Sequence, residues 1–218
     1  GLVEHVDRLR AAVVQAQVAG EGQHRHQREQ VVAEDGHRVA VDLLVGRVEE
    51  SLEADLSRLG MSGHSFGALT TQIMAGQAYP DQEGTLLRMG DDRFRAGILY
   101  SPVPVFGRDE LNPAALYGPI SLPLLHMTGT KDKSPVEGFA YTERLAIFEH
   151  AGGHPHYLVT LDEGDHMVFA GSRGKLADNP KRDTQEALIK VLSLVFWDAF
   201  LKDDQAARHW LEEGLEDF

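Results

Sequence analysis

The chain has 218 residues, 42% hydrophobic and 25% charged, which suits one α/β domain with a sizeable core. Its net charge of −13 argues against a nucleic-acid partner, because phosphate binding needs clustered lysine and arginine. The absence of cysteine excludes disulfides, a thiol nucleophile and cysteine-based metal sites.

The first 53 residues form an atypical segment. Residues 1–65 contain no Phe, Tyr, Trp, Pro, Lys, Ile, Thr or Asn, although all of these occur later in the chain. The spacing of Val3, Val6, Leu9 and Val13 is helical, and so is that of the apolar residues between Val41 and Leu52. We interpret this segment either as a helical arm or as non-native sequence, such as a wrongly framed reading.

Residues 54–218 alternate between strand and helix patterns, which predicts the C-terminal part of an α/β domain. The predicted strands are Ser57–Ser62, Phe94–Ser101, Leu122–Thr128 and His156–Asp162. The predicted helices run from Phe66 to about Gly76, from Asp183 along an apolar stripe, and from about Asp204 to near Gly214. The expected architecture is a mostly parallel sheet with flanking helices, without the usual N-terminal strands.

A Gly-x-Ser-x-Gly pattern, Gly63-His64-Ser65-Phe66-Gly67, joins the first of these strands to the first helix. A sharp turn there lifts the serine above the sheet edge, and the two glycines let strand and helix approach closely. We therefore predict that Ser65 is a nucleophile and that the Phe66 backbone N–H is an oxyanion donor. His64 is expected to point away and to pack nearby. The plainer alternative is an ordinary turn serine.

A nucleophilic serine needs a base and an acid that orients the base. Functional groups of an open parallel sheet gather at the carboxyl ends of its strands. Asp132 follows the third predicted strand, and His166 follows the fourth. The order Ser65, Asp132, His166 is that of α/β-hydrolases, so we predict His166 as the base and Asp132 as the acid. Asp162 and Asp165 are alternative acids.

Other side chains near the predicted site are candidates for a pocket or for metal ligands. Pro102, Val103, Met167 and Phe66 flank the site and are candidates for lining an acyl pocket. His24 with His26, and His150 with His154 and His156, have spacings that metal ligands also show. They lie in polar loops without a carboxylate or cysteine framework, so we interpret them as solvated loop residues and expect no metal site.

Four stretches together resemble one known family: DLSRLGMSGHSFGALTTQ, LLHMTGTKDKSP, YLVTLDEGDHMVFAG and FWDAFLKDD. The family is that of bacterial α/β-hydrolases described as predicted dienelactone hydrolases, related to platelet-activating-factor acetylhydrolase-like serine esterases. The resemblance covers about residues 54–213. It implies hydrolysis of a small-molecule carboxylic ester, with no cofactor, by a triad at Ser65, Asp132 and His166. True dienelactone hydrolases use a cysteine nucleophile, so the label does not identify a substrate.

Two alternatives to an active esterase stay open. Such hydrolases take a second oxyanion donor from an upstream His-Gly loop, and no His-Gly dipeptide occurs in this chain. The first alternative is therefore a truncated, impaired hydrolase or a binding module without turnover. The lesser one is a thioesterase or peptidase on the same fold. We expect no membrane span, because no apolar run reaches about 18 residues. A cytoplasmic location is the default expectation, with export left open because the chain begins at Gly1.

Overall fold

A parallel sheet organises the computed structural model, which describes residues 13–15, 55–108, 110–136, 138–153, 155–173 and 178–213. Its five strands are, in spatial order, β1 (Val13–Gln15), β2 (Leu59–His64), β5 (Phe94–Tyr100), β6 (Leu124–Lys131) and β7 (His156–Asp165). All four strand pairings are parallel. Two short strands, β3 (Ala78–Pro80) and β4 (Leu86–Arg88), form a separate antiparallel pair.

Helices cover both faces of this sheet, as a parallel sheet requires. They are α1 (Phe66–Met74), α2 (Pro113–Tyr117), α3 (Tyr141–His150), α4 (Arg182–Leu201) and α5 (Gln205–Glu213), with 3₁₀ turns at Leu56–Arg58 and His166–Arg173. On one face, Leu192 and Phe196 of α4 pack with Ile98 and Met127 of the sheet. On the other face, Ile147 of α3 belongs to a cluster with Ala68 of α1 and with Leu99 and Leu124 of the sheet.

The central strands are apolar because both of their faces are buried. Ile98 and Leu99 in β5, and Leu124, Leu125 and Met127 in β6, have essentially no exposed surface. The four strands and three helices predicted from residues 54–218 are all present, and the expected α/β architecture is confirmed. β6 and β7 continue three residues beyond their predicted ends. The sequence patterns do not predict the β3–β4 pair, α2 or the position of α3.

The helical interpretation of the first segment is wrong at Val13. Val13–Gln15 is a strand whose Cα partners in β2 are Gly60, Met61 and Ser62. The rest of residues 1–54 lies outside the described residues, so the two interpretations of that segment stay predictions. Within the described ranges, no helix is long and apolar enough to cross a membrane.

Candidate active site

Ser65 occupies a strained turn between β2 and α1. Its φ of 57° and ψ of −119° place a residue with a side chain in a region that favours glycine. The Ser65 N–H donates to the carbonyl of Tyr100 at 2.9 Å, which ties the turn to the end of β5. A Cβ on Gly63 would lie 2.2 Å from backbone atoms of Gly67, so only glycine fits there. The predicted strand–turn–helix context of Ser65 is therefore present.

The Phe66 N–H lies at the first position of α1, where helical N–H groups have no partner in their own helix. Among the described residues, no hydrogen bond occupies this N–H group. The helix dipole adds a partial positive charge at this end. The turn therefore presents a donor next to the Ser65 hydroxyl. The Phe66 side chain itself is 52% exposed.

The predicted acid and base form a buried pair. Asp132 follows β6 and has no exposed surface, while His166 follows β7 and is 4% exposed. His166 Nδ1 lies 2.7 Å from Asp132 Oδ1, and the Thr128 hydroxyl donates to Asp132 Oδ2 at 3.0 Å. A carboxylate only accepts, so Nδ1 carries the proton and the Nε2 lone pair is left for another partner.

The two alternative acids have other partners. Asp165 accepts from the Met167 N–H at 2.7 Å and from Asn179 at 3.1 Å. Asp162 is exposed and pairs with Lys181. Of the three candidate acids, Asp132 is the one that the structure brings to His166.

His64 connects the Ser65 turn to His166. Its ring centroid lies 4.5 Å from that of His166, and its Nε2 lies 2.9 Å from the His166 carbonyl oxygen. Burial, together with the charge of a protonated His166, lowers the pKa of His64 to about 4. His64 is thus neutral at pH 7, and its Nε2–H donates to that carbonyl. Ser65 is the residue after His64, and no hydrogen bond among the described residues joins its Oγ to His166.

Arg144 is a charged neighbour of the site that no sequence pattern predicts. Its side chain lies on α3 and is 1% exposed, with Nη2 2.9 Å from Asp132 Oδ1. Burial raises the pKa of the Asp132 carboxyl, but the hydrogen bond from His166 and the charge of Arg144 outweigh burial and hold the pKa below its ordinary value. No pattern in the sequence singles out Arg144, because an isolated arginine in a polar helix resembles a surface residue.

The predicted pocket residues surround the same edge of the sheet. Pro102 and Val103 follow β5 and are buried, whereas Met167 is half-buried. The side-chain amide of Gln72 holds the Val103 backbone, accepting from its N–H at 3.0 Å and donating to its carbonyl at 2.9 Å. The acyl pocket stays a prediction.

The histidines considered as metal ligands do not form a cluster in the described residues, where no group of three or more His, Cys, Asp or Glu side chains is arranged around a common point. His156 Nε2 lies 2.7 Å from the Gly152 carbonyl oxygen. His24, His26 and His154 lie outside the described residues.

Comparison with known proteins gives structural but not sequence matches: no family model and no curated protein matches the chain. Acylaminoacyl peptidase from Pyrococcus horikoshii is similar at a TM-score of 0.50 and 16% identity, over 78% of this chain and 28% of that one. Dipeptidyl peptidase 4 from Porphyromonas gingivalis is similar at a TM-score of 0.50 and 15% identity, over 78% of this chain and 23% of that one.

A thermophilic esterase from the Planctomycetes species Thermogutta terrifontis is similar at a TM-score of 0.46 and 19% identity, over 78% of this chain and 69% of that one. This chain spans less than a third of the length of the two peptidases. The likeness to the peptidases agrees with the parallel sheet and its two helical layers. The chain has the α/β-hydrolase fold.

Proposed function

We propose that the protein is a serine hydrolase that cleaves small-molecule carboxylic esters through Ser65, His166 and Asp132. The observation that carries this proposal is the buried His166–Asp132 pair, with its 2.7 Å hydrogen bond. The strained Ser65 turn supports it, because His64, the residue before Ser65, contacts His166. A buried imidazole with its Nδ1 on a carboxylate has its Nε2 lone pair available as a base. The resemblance of residues 54–213 to acetylhydrolase-like esterases supports an ester as the substrate.

Each residue has one role in the proposed reaction. Ser65 Oγ attacks the acyl carbonyl while His166 Nε2 takes the hydroxyl proton, and Asp132 stabilises the resulting imidazolium. The Phe66 N–H donates to the oxyanion of the tetrahedral intermediate. His166 then returns the proton to the leaving alcohol, which leaves the acyl group on Ser65. Water attacks this acyl-enzyme with His166 again as the base, and the acid product leaves.

A fluorophosphonate probe tests for an activated serine directly. We expect labelling of the wild-type protein at Ser65, located by peptide mass spectrometry, and none in Ser65→Ala. Ser121→Ala is the matched control because Ser121 is exposed and has no role in the proposed site. If wild-type protein that unfolds cooperatively is not labelled, the proposal is overturned. The impaired hydrolase or the binding module without turnover is then the remaining interpretation.

Rates of turnover on different substrate classes identify the leaving group. p-Nitrophenyl esters of increasing acyl length, matched thioesters and chromogenic peptides separate esterase, thioesterase and peptidase activity. We expect the esters to be cleaved fastest, with a loss of more than about 10⁴-fold in kcat for Ser65→Ala. Faster turnover of the thioester or peptide would reassign the reaction without changing the roles of the three residues.

A further inference from the structure

Arg144 is tied to two of the loops that form the candidate site. Its Nε donates to the Asp132 backbone carbonyl at 3.1 Å, and its Nη1 donates to the carbonyls of Ser101 at 3.2 Å and Pro102 at 2.7 Å. The guanidinium lies over the Phe139 ring at 4.8 Å from its centroid. One planar side chain therefore links the loop after β5 to the loop that carries the acid.

The same guanidinium shares a carboxylate oxygen with the base. Asp132 Oδ1 lies 2.9 Å from Arg144 Nη2 and 2.7 Å from His166 Nδ1. Nη2 also lies 3.2 Å from Nδ1 itself. Both nitrogens carry protons when they contact the carboxylate, and one carboxylate oxygen can accept from two donors, so Arg144 and His166 share Oδ1. The negative charge of Asp132 is thus divided between an arginine and a histidine.

Burial makes this arrangement specific to arginine. Arg144 and Asp132 are 1% and 0% exposed, so water screens neither charge. A buried ion pair persists when its remaining donors and acceptors are also satisfied, and here Thr128 and three carbonyl groups provide the partners. A lysine at this position keeps the charge but cannot reproduce the planar set of donors.

We propose that Arg144 is a positioning residue: it fixes the Asp132 carboxylate in the orientation that His166 needs and offsets part of its negative charge at the imidazole. The inference rests on the proposed function, since a role for Arg144 in turnover presupposes that His166 is the base. It goes beyond the three triad residues, because it assigns control of the base to a fourth side chain.

The charge of Arg144 has a defined effect on His166. With the arginine present, the carboxylate stabilises the imidazolium less than it would alone. Loss of the positive charge therefore makes His166 easier to protonate and moves the acid limb of kcat/KM to higher pH, by about one pH unit. The charged and titratable groups around His166 are Asp132, Arg144, His64, the adjacent Asp165 and, through the carbonyls of Met167 and Gly171, Arg182.

Three variants test the inference. In Arg144→Gln we expect kcat to fall by about 10²-fold, because the Asp132 carboxylate is no longer held in place. We also expect the acid limb of the kcat/KM profile to move to higher pH. In Arg144→Lys we expect a smaller fall in kcat with the acid limb near its wild-type position. Arg95→Gln is the matched control, because Arg95 forms an exposed pair with Asp203 at 2.9 Å and should leave both readouts unchanged.

An NMR titration of the His166 ring gives a readout that does not depend on turnover. We expect the midpoint in folded Arg144→Gln to lie above that of the wild type, with the His166 signal assigned from its loss in His166→Gln. An unchanged or lower midpoint would overturn the charge effect. If Arg144→Gln does not fold, Arg144→Lys still tests the positioning role. A kcat of Arg144→Lys equal to that of the wild type would overturn it.

The two proposals can fail separately. If the wild type hydrolyses esters through Ser65 but Arg144→Gln alters neither kcat nor the pH profile, the Arg144 inference is wrong and the proposed function stands. If the wild type neither labels nor turns over, the proposed function is wrong. The His166 titration then still decides whether Arg144 offsets the Asp132 charge.

Discussion

At the scale of single residues, the backbone of Ser65 predicts an unusual response to substitution. Its φ of 57° and ψ of −119° match the second residue of a type II′ turn, where glycine is unstrained. We expect Ser65→Gly to be more stable than Ser65→Ala by about 1 kcal/mol, the relief of strain less the entropy cost of glycine. Urea unfolding of the two inactive variants measures the difference.

The control for this comparison is the same pair of substitutions at Ser121. Ser121 is exposed and does not have a positive φ, so glycine there should be less stable than alanine. If Ser65→Gly is no more stable than Ser65→Ala, the Ser65 turn is not strained in solution.

The residues of the candidate site differ in how far the sequence predicts them. Ser65, Asp132 and His166 each follow a recognisable strand, so their chain order and strand positions suggest that they meet. The structure brings two of them, His166 and Asp132, within 2.7 Å of each other, and the roles of all three residues stay a prediction. Arg144 lies in the middle of a helix, and its burial arises from packing of α3 against the loops after β5 and β6. Such tertiary packing leaves no local pattern in the sequence.

At the scale of elements, β6 and β7 bring the acid and the base together through a close backbone contact. A Cβ on Gly129 in β6 would lie 2.3 Å from the Gly164 carbonyl oxygen in β7. The pairing register also shifts between Gly129 and Lys131. The two strands can therefore approach this closely only without a side chain at Gly129, three residues before Asp132.

Gly129→Ala should separate these two strand ends. We expect a loss of about 2–4 kcal/mol in the free energy of unfolding, since the clash is with backbone that cannot rotate away. We also expect a large fall in kcat, because the Asp132 and His166 loops move apart. Gly153→Ala is the control, as a Cβ there meets nothing within 4 Å. Equal stability of Gly129→Ala and the wild type, measured by urea unfolding, would contradict this account.

The polar ends of these two strands are not predicted by the hydrophobic pattern of the sequence. The apolar run Leu122–Thr128 predicts only the buried part of β6, whereas the strand reaches Lys131. Beyond the apolar run, pairing continues through backbone hydrogen bonds and an exposed Lys131–Glu163 contact at 3.0 Å. Hydrophobic patterning reports burial, not backbone pairing, so it misses polar strand ends. Those ends carry the candidate acid and base.

At the scale of the whole molecule, two buried groups and one half-buried group make folding depend on pH in the same direction. Burial lowers the pKa of His64 to about 4 and that of His126 to about 3, from an ordinary value of 6.5. The pKa of Asp132 also lies below its ordinary value, despite the opposing effect of burial. Each group binds its proton more readily in the unfolded chain, so each contributes stability at neutral pH that is lost in acid.

The two histidines act in a higher pH range than the aspartate. Their contribution is complete above pH 6.5 and decreases as the pH falls towards 4 for His64 and 3 for His126. Protonation of Asp132 lowers the free energy of unfolding further, but only below about pH 4. The free energy of unfolding should therefore begin to fall below pH 6.5, with a slope of up to about 1.4 kcal/mol per pH unit for each histidine.

His126→Leu separates the contribution of one histidine from the rest. Neither ring nitrogen of His126 has a hydrogen-bond partner among the described residues, and the ring has no exposed surface. Leucine removes the titration and two unpaired polar atoms. We expect a stability at pH 7 equal to or about 1 kcal/mol above that of the wild type, and a shallower slope between pH 6.5 and 4. Urea unfolding across this range measures both, with the exposed His150→Gln as the control. Identical slopes for His126→Leu and the wild type would show that His126 protonates in the folded protein without cost.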